Sequence, residues 1–157
     1  MSAFIKFEAL QNEQFVKVNG KLQPDGALLA VEVNTTRTAK YEDDQDKMQS
    51  VIQFIDRESH KIKVLNQTIA LSPETVYRTI TNKPSSFGDF YEGEQVKIRG
   101  YFEPGSGFLP SKITAQETLE FNVDEIEGQI SGIDYDSRTF FVNGIRVVLD
   151  SHSLLLK

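Results

Sequence analysis

The chain has 157 residues, 39% hydrophobic and 25% charged, and 17 Lys and Arg face 23 Asp and Glu for a net charge of −6. That is an ordinary globular composition, with room for one domain or two very small ones, and the absence of Cys excludes disulfides, thiolate metal sites and a Cys nucleophile. The acidic balance repels nucleic acid and anionic membrane on average, no run approaches the ~18 apolar residues of a membrane span, and "MSAFIKFEALQNEQF" lacks the apolar core of a signal peptide.

The 11 Phe and 5 Tyr, with no Trp and 2 Met, suit strands. The first is "VKVNGKLQPDGALLAVEV", Val16 to Val33. Val16, Val18, Gly20 and Leu22 step by two as a half-buried strand requires, "QPDG" supplies the turn, and the return strand places Leu29, Val31 and Val33 on one face. A polar acidic stretch over 38–49 reads as a linker or short helix.

From Ile55, "IDRESHKIKVLNQTIALSPETV" reads as three short strands with a polar turn at Asp56 to Ser59 and a tight one at Leu65-Asn66. It closes where Ser72 can cap a single helical turn with Pro73 at the first position. Arg78 to Asp89 reads as a surface loop.

"VKIRGYFEPGSGFLPSKI", Val96 to Ile113, then repeats the opening hairpin without a gap. Val16/Val96, Lys17/Lys97, Gly20/Gly100, Pro24/Pro104 and Leu29/Leu109 are identical. Its return strand places Leu109, Ser111 and Ile113 on one face, and Pro110, with no N–H, favours an edge or a bulge.

Last comes "IDYDSRTFFVNGIRVVLDSHSL", which aligns with the Ile55 segment through Ile55/Ile133, Asp56/Asp134, Ser59/Ser137, Val64/Val142 and Leu71/Leu149. Its turns are Asp134 to Ser137 and Asn143-Gly144, and Asp150 is the cap. With the hairpins called B units and the others A units, the order is B, A, B, A, with a period near eighty residues. Only an A and a B unit together have enough strands to close a small barrel.

The two units resemble the bacterial family catalogued as domain of unknown function 5666 (DUF5666). Its sequences run as "G.I..ID....I.V.G..I..D..T" and then "L..GD.V.V.G....DG.L.A..I". The match is carried by Ile55, Asp56, Ile62, Val64, Ile69, Leu71 and Thr75, then by Gly93, Val96, Ile98, Gly100 and Ile113, and in the first B unit by Val16, Val18, Gly20, Asp25, Gly26, Leu28, Ala30 and Val33. The resemblance implies an OB-like five-stranded barrel per A and B pair and an exported or envelope location, and it carries over no functional residue.

The expected fold is therefore all-β: two small OB-like antiparallel β-barrels built from repeated half-units, with one short helix at most. Residues 50–117 form the central barrel, and 1–37 with 124–157 form the second, which strand pairing between the Val16 and Phe140 segments would mark.

Glu42, Asp43, Asp44 and Asp46 lack the Gly and closing Glu of a calcium loop. Asp56/Glu58 and Asp134/Asp136 recur as turn formers. His60 and His152 hold no metal-ligand spacing, and neither a nucleophile elbow nor a phosphate loop is present. No cofactor or metal follows.

The sharpest candidate is a stripe. If Val96, Ile98 and Phe102 face inward, Lys97, Arg99 and Tyr101 face outward, with Lys17 the matching cation of the first unit. Cations interleaved with an aromatic ring are how OB folds hold single strands, whereas plain edge decoration is the simpler reading. The expected function is a non-enzymatic binding or interaction module for a protein or polymeric ligand, without membrane insertion. Single-stranded nucleic acid, disfavoured by the acidic charge, or an oligosaccharide on the barrel face is one alternative. An enzyme with an unrecognised acid and base is the other.

Overall fold

Apolar residues at every second position need a sheet with one covered face, and the chain provides it twice. The computed structural model describes residues 4–35, 45–118 and 123–157. The fold is all-β: β1 (Phe15–Leu22), β2 (Leu28–Asn34), β3 (Asp46–Asp56), β4 (Lys61–Val64), β5 (Gln67–Ala70), β6 (Val76–Arg78), β7 (Gln95–Glu103), β8 (Gly107–Gln116), β9 (Asp124–Asp134), β10 (Thr139–Val142), β11 (Ile145–Val148) and β12 (Leu154–Leu156). Residues 38–44 of the expected linker, with Glu42, Asp43 and Asp44, lie outside the described residues, while Asp46–Gln49 open β3.

β1, β2, β11, β10 and β9 close a five-stranded barrel, β9 returning to β1. The first B unit thus pairs with the last A unit. The contacts run through β9, with Val16 opposite Gly128, and through the parallel β2–β11 pair. The Phe140 strand, β10, sits between β9 and β11 and does not touch β1 in the ladder.

The central strands repeat this order as β5-β4-β3-β7-β8, and β6 adds to β8 in parallel as β12 adds to β2. The last ladder is absent: β5 lies beside β8, but no hydrogen-bonded pairing joins them. Pro110 stands where the first unit has Ala30, so β8 has no N–H to donate at that point.

The repeat extends into the hydrogen bonds. Thr75 Oγ1 donates to the Pro110 carbonyl at 3.3 Å, and Ser153 Oγ to the Ala30 carbonyl at 2.6 Å. The segments that open on Ser72 and Asp150 form single hydrogen-bonded turns leading into β6 and β12, not the helical turn expected. Helical geometry among the described residues is confined to two 3₁₀ turns, Phe7–Ala9 and Phe87–Asp89. They open the B units upstream of the hairpins, and each is followed by a positive φ, at Glu13 (72°) and Gly93 (90°).

One expectation is corrected. Leu29, Val31 and Val33 do not share a face: Leu28 and Ala30 point into the core, Val31 is exposed, and Val33 is buried again. In β8, Phe108 and Ile113 are buried while Leu109 is 44% exposed. A bulge between Asn19 and Gly20, repeated between Arg99 and Gly100, gives each return strand one extra residue and reverses its phase.

The bulge also explains the repeated glycine. A Cβ on Gly20 would lie 2.2 Å from the Leu29 carbonyl oxygen, and one on Gly100 would lie 2.1 Å from that of Leu109. Gly20→Ala or Gly100→Ala should lower unfolding free energy by about 2–3 kcal/mol in urea titrations, through forced backbone displacement. Gly88→Ala, which would meet nothing within 4 Å, should change it little.

β3 and β9 also pair with each other, Met48 opposite Ile126, so the two halves share one sheet, β2-β1-β9-β3-β7-β8. Val18, Ile126, Met48 and Ile98 are fully buried along one row of its inner face. The adjacent outward row carries Lys17, Glu127, Lys47 and Arg99. There Lys47 donates to Glu125 and pairs with Glu127 at 3.0 Å, all three side chains at most 10% exposed. Lys47→Ala should therefore destabilise the fold by about 3–5 kcal/mol in chemical unfolding, because it leaves two carboxylates buried without their cation.

Candidate functional site

The outward face of β7 carries Lys97, Arg99 and Tyr101 because the inward positions are taken by Val96, Ile98 and Gly100. Pairing brings other strands to them. Arg99 lies opposite Lys112 of β8, Lys97 opposite Thr114, and Thr114 in turn opposite Arg78 of the added strand β6. Four cations from three adjacent strands thus share one face. Between them and the loop after β6 is a groove of 450 Å³, lined by Lys97, Arg99, Lys112 and Thr114, with Asn82 and Glu117 at its rim.

Tyr101 extends the row. It is 52% exposed beside its cross-strand neighbour Leu109, at 44%. The Gln45 amide donates to Ser111 Oγ at 3.2 Å and reaches the Tyr101 hydroxyl at 3.5 Å, and Ser111 Oγ donates to the Arg99 carbonyl at 3.1 Å. These contacts hold the start of β3 against the end of the stripe.

Lys17 lies on the same face but apart from the others. β9 and β3 separate its strand from β7, a distance of roughly 14 Å at the usual strand spacing. Its ammonium sits 3.8 Å from Glu125. The stripe of the first unit continues as Asn19 and Lys21, so the two stripes carry two cations each and differ in aromatic content, while the first unit's return strand places Glu32 where the second unit has Lys112.

Sequence reasoning missed Arg78 and Lys112. Arg78 reaches the face only because β6 adds to β8, an event that leaves no signal in local alternation. Lys112 is outward beside the inward Ile113 by simple alternation, but only the β7–β8 register sets it opposite Arg99.

The carboxylates recurring in the A units are turn formers. Asp56 accepts from the Ser59 N–H at 3.1 Å, and Asp134 from the Asp136 and Ser137 N–H groups at 3.0 and 3.3 Å. Those backbone hydrogen bonds hold both carboxyls below the usual aspartate value. Among the described residues no group of three or more His, Asp or Glu is placed to hold a metal ion. His60 stacks on Phe87 with centroids 5.4 Å apart, and Arg138, aligned with it, lies over Phe7.

A second concavity, of 250 Å³, contains Asp89 and Glu94 with opposite shifts. Hydrogen bonds from Ser85 and Ser86 lower Asp89, and burial raises Glu94. Such a split can mark an acid and base pair. Here the copy in the other unit explains it: Glu94 Oε1 accepts from the Tyr91 N–H at 3.3 Å, as Gln14 Oε1 accepts from the Gln11 N–H at 3.1 Å. A neutral amide does the same job, so the carboxylate serves as a turn cap.

The family model of a domain of unknown function, DUF5666, matches residues 2–34 and 49–114. The chain belongs to this family. The matched segments are the first B unit and the central A and B units, and the last A unit, which closes the barrel, lies outside them. No curated protein and no solved structure matches the chain. Membership in DUF5666 assigns no ligand or reaction, so the surface has to be read from its own chemistry. No helix among the described residues is long and apolar enough to cross a membrane.

Glu94 provides a pH test. Its folded value lies above the ordinary 4.5, so below 4.5 both states are protonated and burial costs nothing; the penalty appears as pH rises through the folded value. Glu94→Gln should therefore stabilise the protein at pH 7 in urea unfolding and lose that gain below pH 4.5.

Proposed function

We propose that this DUF5666 chain is a non-enzymatic binding module that holds an extended polyanion on the outer face of β7, β8 and β6. The observation that supports this reading is the convergence of Lys97, Arg99, Lys112 and Arg78 on one face of a protein whose net charge is −6. Like charges on neighbouring strands repel, by up to about 1 kcal/mol for a directly opposed pair. Arg99 and Lys112 are directly opposed, so the site between them favours an anionic group over a neutral one.

Lys97 and Arg99, two residues apart on one strand, stand roughly 6.7 Å apart along it, which suits a chain with regularly spaced charges. The two halves, residues 50–117 and residues 1–37 with 124–157, divide the work in this proposal: the central half binds, and the terminal half closes the barrel that braces it. Lys17 stands outside the footprint.

The test is binding of a labelled polyanion panel, oligothymidine, heparin and polyglutamate, by anisotropy at low salt. The parent should bind at least one member, and Lys97→Ala with Arg99→Ala should weaken it tenfold or more and flatten the salt dependence by about 1.4 units of log–log slope for single strands. Binding to no member, or an unchanged salt slope in a folded double variant, would sink the proposal.

A further inference from the structure

Resting on that reading, we infer that the polyanion is single-stranded nucleic acid, with Tyr101 as the base-stacking step beside the phosphate-binding cations. Four cations alone would serve any polyanion, and the distinguishing feature is what stands next to them. Tyr101 follows Arg99 on the same outward row, and its ring is 52% exposed. Leu109, directly across on β8 and 44% exposed, flanks it, so the end of the stripe is apolar where the rest is cationic.

An exposed tyrosine and leucine beside a polar groove give up little water-repelling surface to a carboxylate polymer, which carries no flat apolar group. A nucleobase has such a face, and stacking on an aromatic side chain is tolerant of base identity. The cations and the ring also lie in the order that a strand presents them: Lys97 and Arg99 along the backbone, Lys112 opposite Arg99, and then Tyr101 roughly 13 Å from Lys97. That footprint covers a few nucleotides.

Two details fit the geometry of one wing. The first unit has Asn19 and Lys21 where the second has Arg99 and Tyr101, so the stacking step exists once. The strand between the wings, β9, presents Glu125 and Glu127 on the same outward face. With Lys47 they form a buried cluster carrying one net negative charge, so among the described residues a phosphate chain meets no exposed cation between β7 and Lys17. Glu117 is the one acid among the described residues that line the groove.

The experiment compares an oligothymidine of about ten nucleotides with an abasic deoxyribose-phosphate oligomer of equal charge. Both titrate the full chain and its Tyr101→Ala, Tyr101→Phe and Glu117→Gln variants, each checked for folding by circular dichroism. The parent should prefer oligothymidine about tenfold. Tyr101→Ala should abolish that preference while leaving abasic binding unchanged, Tyr101→Phe should keep it, and Glu117→Gln should tighten both ligands a fewfold.

Equal binding of oligothymidine and the abasic oligomer by the parent overturns the nucleic-acid inference but leaves the polyanion reading standing. So does a polyglutamate of matched charge that competes as well as oligothymidine. Binding to neither oligomer, nor to polyglutamate or heparin, overturns both.

Discussion

The fold turns on the antiparallel pairing of β3 with β9, and on the buried charge cluster that accompanies it. Each of these long strands serves two sheets: its first half runs through the shared six-stranded sheet, and its second half peels off to pair with its own short hairpin. Where they meet, Lys47 lies between Glu125 and Glu127 while Asn143 Nδ2 donates to the main-chain carbonyls of Lys47 and Glu127, at 3.1 and 3.0 Å. A buried ion cluster contributes little net stability compared with apolar packing, but it is costly to mispair. In a chain whose halves have the same strand order that cost has a use. The aligned residues Lys47 and Glu125 carry opposite charges, so β3 meets β9 favourably, whereas a second β9 meeting β9 would oppose acid to acid.

The same economy of repeats governs the bulges. Gly20 and Gly100 are required because a main-chain oxygen occupies the space of a Cβ, and the extra residue in each return strand follows from that close approach. The last A unit returns to the first B unit, and the central units remain neighbours in sequence. Closure then differs by one residue type. Ala30 leaves an N–H where β2 meets β11, and Pro110 removes it where β8 faces β5. The half that carries the candidate surface is thus the half whose ring is less fully bonded.

Much of this was legible in the sequence, and the parts that were not share a cause. The hairpins, the tight turns at Leu65-Asn66 and Asn143-Gly144 and the inward rows of β1 and β7 follow from local alternation and turn chemistry. The phase of β2 and β8 did not, because a bulge depends on the partner strand. The strands β6 and β12 lie where the sequence suggests single helical turns capped by Ser72 and Asp150, because three residues show no period, and they exist only through added pairing to a neighbour. The 3₁₀ turns at Phe7 and Phe87 were missed for a different reason. Their sequences diverge, and what repeats is a contact: Arg57 Nη2 donates to the Phe90 carbonyl at 2.6 Å, and Tyr135 Oη to the Leu10 carbonyl at 2.7 Å.

That last substitution shows how the two halves have diverged without losing their shape. Arginine and tyrosine, aligned in the repeat, reach equivalent carbonyls, and His60 and Arg138 cover equivalent phenylalanine rings. At Phe54 opposite Lys63, and Gly132 under Phe141, an aromatic ring has changed strands within the pair, with the ring of Phe141 lying 3.1 Å from where a Cβ on Gly132 would sit. Contacts that position backbone are kept by whichever side chain can make them. On the outward row of the B units the aligned residues differ in kind: Asn19 and Lys21 stand against Arg99 and Tyr101. Structural positions exchange residues of equal reach, whereas the outer wing exchanges chemistry, and that difference is the reason the proposed binding face is assigned to β7 and β8 rather than to their counterparts β1 and β2.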